Sequence, residues 1–129
     1  MRTAIVALAG VSALGLAATT ASAKSNIEFT AGPRTAHVGG MIHLKVDGGD
    51  DDASVWERLC IQERTGHEAW HNLKCAKGDY GYATGLDIRI KASHKGSYQF
   101  RGALIESKSP KDKHYQYGPT SRAYTVTVR

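Results

Sequence analysis

From residue 26 onward, apolar side chains recur at every second position. Ile27 and Phe29 alternate with Asn26 and Glu28, and Ile42, Leu44 and Val46 with His43, Lys45 and Asp47. Leu86, Ile88 and Ile90 alternate with Asp87, Arg89 and Lys91. Tyr98, Phe100, Gly102 and Leu104 alternate with Gln99, Arg101 and Ala103, and Tyr124, Val126 and Val128 with Thr125, Thr127 and Arg129. A period of two belongs to strands with one buried face. Turn residues punctuate these runs at Gly32-Pro33, Gly39-Gly40, 48–52, Thr65-Gly66-His67, 78–85 and Lys95-Gly96. No segment sustains a helical period. The pattern predicts an all-β domain, a two-sheet antiparallel sandwich of seven or eight short strands.

The central hairpin is the most specific local expectation. Segments 54–64 and 68–77 flank the turn, with Cys60 on the first and Cys75 on the second. Without a bulge the two face each other, and a disulfide would staple the strands. The facing of 54–64 is ambiguous. Val55, Leu59 and Ile61 share a face with Glu57, whereas Trp56 and Cys60 share the other with Arg58. That pattern asks for a bulge or an edge position. Trp56 and Trp70 bring large apolar surface to the core or its rim.

The first 23 residues change the picture of where this domain works. Arg2 precedes an apolar run over 4–18, and Ala21-Ser22-Ala23 offers small residues at both positions a signal peptidase reads. Residues 1–23 are therefore expected to be a secretory signal peptide, cleaved after Ala23, with 24–129 as a single secreted domain. An uncleaved anchor is the alternative, but the apolar core is short and diluted by Gly, Ser and Ala. No Cys near the cleavage site could carry a lipid, and no later segment is apolar enough to insert stably in a membrane. Export makes an even cysteine count read as a disulfide, with two free thiols as the alternative. The net charge of +5 falls to +4 on loss of Arg2, a modest bias toward anionic surfaces.

The run Lys95-Gly96-Ser97-Tyr98-Gln99-Phe100-Arg101 resembles the G-x-Y-x-F-R strand of secreted bacterial immunoglobulin-like and fibronectin-III-like domains. The resemblance puts Tyr98 at the tyrosine-corner position, with Phe100 where antibody domains carry a cysteine. The C-terminal Tyr-Thr-Val-Thr-Val is similar to the last strand of such domains, and Val38-Gly39-Gly40 to their step before an alternating strand. Cys60 and Cys75 depart from the family, because they fall within one hairpin and not across two sheets. The resemblance implies an immunoglobulin-like sandwich, a class that hosts adhesion, carbohydrate binding, inhibition and plain spacing.

The chemistry available narrows the function further. No nucleophile elbow or zinc-protease motif is present, and no carboxylate pair across a cleft is evident. No catalytic residue, cofactor or metal site is assigned, and a non-enzymatic role is expected. The acids of 47–52 do not follow a calcium-loop pattern, and His67, Glu68 and His71 at the hairpin tip lack a further ligand. No basic stripe with stacked aromatics covers a sheet face, so no nucleic-acid partner is expected. The best candidate is segment 107–122, read as a long loop between the last two strands. It carries Lys108, Lys111, Lys113, His114, Tyr115, Tyr117 and Arg122, with Arg101 nearby if its strand faces outward there. Basic residues among tyrosines suit an anionic or sugar-bearing partner. The expectation is a protein that binds another protein or an envelope polymer. A secreted inhibitor or toxin acting on another protein, such as a protease, through the stapled 65–69 tip is the alternative.

Overall fold

A computed structural model describes residues 25–112 and 115–129. The expected leader and cleavage site lie outside them, as do Lys113 and His114. The described residues form ten strands and no helix. One sheet has the order β1 (Ser25–Gly32), β3 (Met41–Asp50), β7 (Leu86–Lys91). The other runs β2 (Thr35–Ala36), β10 (Tyr124–Val128), β8 (Gly96–Ser107), β4 (Trp56–Thr65), β5 (His71–Cys75). Two further strands attach to it, β6 (Asp79–Tyr80) on β4 and β9 (Gln116–Thr120) on β8. Eight strands have five residues or more, while β2 and β6 are two-residue bridges.

The alternation read from the sequence supplies the interior. β3 buries Ile42, Leu44 and Val46 and exposes the residues between them. β8 sends Phe100 and Leu104 inward, β4 sends Leu59 and Ile61, β10 sends Val126 and Val128, and β1 contributes Phe29; all join one cluster. Each large aliphatic side chain buried in this way contributes about 1.5–3 kcal/mol. Gly102 sits among them for a spatial reason. A Cβ there would come within 2.6 Å of Val46 Cγ2 and 3.1 Å of Ile27 Cδ1, so the missing side chain lets the first sheet close onto β8.

Two expectations need correction. The sheets are not wholly antiparallel: β2 lies parallel to β10. The chain leaves the first sheet at the cis Gly32-Pro33 peptide and joins the second, where Thr127 N donates to Arg34 O at 2.8 Å and Arg129 N to Ala36 O at 2.8 Å. Segment 107–122 is also not all loop. Its later part is β9, which pairs Tyr117 with Ile105 and Thr120 with Ala103.

The hairpin does pair Cys60 with Cys75, and the two are disulfide-bonded. The pairing is reached through a bulge, however. Register slips between Ile61↔Lys74 and Gln62↔Asn72, leaving Leu73 as the extra residue. The bulge lies in β5, and β4 runs unbroken against β8 from Trp56 to Thr65. The ambiguous facing of β4 has a simple cause: both of its faces are covered. Glu57, Leu59 and Ile61 are buried toward the core, and Cys60 and Gln62 on the other side. Tyr98 closes the opposite end, its hydroxyl donating to His94 O at 2.9 Å.

Candidate functional site

The outer face of the second sheet can be read in rows across β5, β4, β8 and β9, because directly paired residues point the same way. One row holds Arg58, Ile105 and Tyr117. The next holds the disulfide with Ala103 and Thr120. Then come Asn72, Gln62 and Arg101, and beyond them Arg64 and Gln99. This face of β4 and β8 therefore carries three arginines and no acid. Cys60, Ala103 and Ile105 are fully buried beneath it.

Trp70, just before β5, organises the arginines. The Arg101 guanidinium carbon lies 4.3 Å from its ring centroid and that of Arg64 4.5 Å, so the two cations lie within about 9 Å of each other. Amides fix their orientation. Arg101 Nε donates to Gln62 Oε1 at 2.8 Å, Arg64 Nε donates to Gln99 Oε1 at 2.7 Å, and Gln62 Nε2 donates to Asn72 Oδ1 at 3.0 Å. Neutral amides orient both guanidinium groups without cancelling their charge, and the terminal nitrogens remain to meet an anion. Burial, and then the charge of Arg64, push the Arg101 guanidinium below its ordinary value. Two like charges held this closely favour an anionic occupant.

The tyrosines complete this face. Tyr115 and Tyr117 meet edge to face with ring centroids 5.7 Å apart, and both are exposed. Burial raises the Tyr117 phenol, as do its hydrogen bond and charge interaction with Tyr115, while Arg101 and Arg58 act in the opposite sense. Arg58 lies 5.9 Å from the Trp56 ring centroid, and its Nε is buried without a partner. The outer face of the other sheet contrasts with this one. There His43 pairs with the Asp87 carboxylate, and Lys45 sits opposite the same Asp87.

Of the residues expected to bind, the structure gathers Arg101, Tyr115 and Tyr117. Lys108 and Lys111 are exposed on the connection before β9. Arg122 lies elsewhere, over the Tyr124 ring at 5.1 Å, and Lys113 lies outside the described residues. Sequence reading missed Arg64, Trp70, Gln62 and Gln99. Extending the Trp56, Arg58, Cys60 face by two more alternate positions would have reached Gln62 and Arg64; only the strand pairing brings Arg101 beside them.

A second cluster closes one end of the sandwich. Glu57 and Glu106 are directly paired on β4 and β8. Glu57 has no exposed surface; Oε1 accepts from Asp50 N at 3.0 Å, and Oε2 has no partner. Gly49 makes that bond reachable, since a Cβ there would sit 2.8 Å from Glu57 Oε1. Burial raises the Glu57 carboxyl above 4.5; the Asp50 N–H opposes this, and the Asp50, Glu106 and Asp51 charges add to it. Glu106 is raised too, by burial and then by Asp50. Carboxyls raised in the folded state bind protons more tightly there, so their contribution is fullest below about pH 4.5 and is lost as pH rises through the folded values. Glu57→Gln keeps the acceptor for Asp50 N–H and removes the charge. It is expected to raise unfolding free energy at pH 7 by about 1 kcal/mol, with the gain vanishing near pH 4, as read by urea unfolding across pH. Among the described residues, no group of three or more His, Cys, Asp or Glu is arranged to hold a metal ion. His71 Nε2 lies 3.4 Å from Glu63 Oε1. No helix among these residues is long and apolar enough to cross a membrane.

No protein-family model and no curated protein matches the chain. Among solved structures it is similar to a β-glucosidase from Listeria innocua, crystallised in complex with gluconolactone, with a TM-score of 0.38 and 12% identity. The match covers 81% of this chain and 16% of that one.

Proposed function

We propose that this protein is an exported, non-enzymatic immunoglobulin-like module that binds an anionic partner on the cell envelope or outside the cell. The observation that carries the reading is the Arg64–Trp70–Arg101 stack, held by amides on a sheet face whose strand positions bear no acid. The immunoglobulin-like part rests on the strand order, on β2 running parallel beside β10, and on the Tyr98 hydroxyl bonding back to His94 O. The Cys60–Cys75 disulfide fits an oxidising compartment. The binding surface shifts from the 107–122 loop, the first candidate, to the sheet face that this segment borders through Tyr115 and Tyr117.

Retention of purified protein on isolated envelope fragments tests this. Arg64→Gln combined with Arg101→Gln is expected to cut retention at least about tenfold, the scale of losing charge-assisted contacts. Lys108→Ala with Lys111→Ala is expected to change it by no more than about threefold, as exposed charges on a connection contribute little. The opposite ranking returns the site to the loop. Equal retention of all three proteins removes the proposal.

A further inference from the structure

The shape of the basic face narrows its partner, on the reading that this face binds. Arg58 and Arg101 stand two rows apart, about 13 Å along the strands. Positive charge is thus spread along the sheet and is not focused at one point, which fits a chain with repeated anionic groups better than a single small anion. Its exposed aromatic surface includes the Tyr115–Tyr117 pair, set edge to face, and Tyr80, paired with Trp56 at the end of β4. Trp70 already carries two guanidinium groups, so its ring is taken and does not offer a free face to a base. Tyrosine faces and hydroxyls beside oriented guanidinium groups suit sugar rings that bear acidic substituents.

We infer that the outer face of β4, β8 and β9 binds an acidic polysaccharide, with Arg64 and Arg101 holding its anionic groups and Tyr115 and Tyr117 lying against its sugar rings. Calorimetric titration at 150 mM salt tests this with four probes: sodium polygalacturonate, its fully methyl-esterified form, poly-L-glutamate and single-stranded oligo(dT). A fifth probe, yeast phosphomannan, separates phosphate from carboxylate as the favoured group. The expected result is binding of polygalacturonate or phosphomannan at least tenfold tighter than of esterified polymer, poly-L-glutamate or oligo(dT). Arg64→Gln with Arg101→Gln is expected to weaken it at least tenfold. Tyr115→Ala, an exposed change that spares folding, is expected to weaken it severalfold. Poly-L-glutamate or oligo(dT) binding as tightly as either acidic polysaccharide overturns the inference, as does indifference to Tyr115→Ala. Envelope retention that depends on the two arginines, with neither polysaccharide bound, overturns it while leaving the broader reading intact. Loss of retention and polysaccharide binding together ends both.

Discussion

Phe100→Ala is expected to lower the unfolding free energy by about 3–5 kcal/mol, the cost of emptying an aromatic site in a closed core. Phe100 has no exposed surface and belongs to the cluster shared by both sheets. Its strand neighbours are Tyr124 on β10 and Glu63 on β4, so the void would open where the middle of the second sheet faces the first. Urea denaturation reads the effect. Lys91→Ala, on the exposed side of β7, serves as the control and is expected to change stability by less than about 0.5 kcal/mol. A loss under 1 kcal/mol for Phe100→Ala would mean that the two sheets do not depend on this contact.

That prediction is legible in the sequence, because the alternation around Tyr98, Phe100 and Leu104 sets the inward face of β8. The same logic gave β3, β7 and β10. It failed where a strand is covered on both faces. On β4, apolar and polar residues occupy both sides, so periodicity gives no preferred face, and Glu57 lies buried beside Leu59 and Ile61. It failed too at β9, where Gln116-Tyr117-Gly118-Pro119-Thr120 looks like a loop and becomes a strand by pairing with β8. The candidate site was half legible for the same reason. Arg101, Tyr115 and Tyr117 are conspicuous near one another in sequence, whereas Arg64 and Trp70 reach them only through long-range register. Long-range pairing is the part of a β fold that local pattern encodes least.

Loss of the Cys60–Cys75 bond joins stability to the binding face. The two residues occupy a position where Ala76 N donates to Leu59 O one step away at 2.9 Å, so the ladder bonds flank the pair and the side chains approach closely. Closing a loop with a sequence separation of 15 stabilises by about 3 kcal/mol in the chain-entropy model. Cys60→Ala with Cys75→Ala is therefore expected to lower the unfolding free energy by about that amount in urea. The effect should not stop at stability. β5 is a five-residue edge strand with a bulge at Leu73, and it carries Asn72, the partner of Gln62, while Trp70 directly precedes it. Without the bond, fraying of β5 would release Trp70 from Arg64 and Arg101 and leave the two cations without their shared platform. Affinity for an anionic partner is expected to fall by about tenfold or more at a temperature where the variant is still folded, as the entropy of reordering the edge is added to the cost of binding. A variant that loses stability yet binds unchanged would show that the arginines are positioned by Gln62 and Gln99 alone.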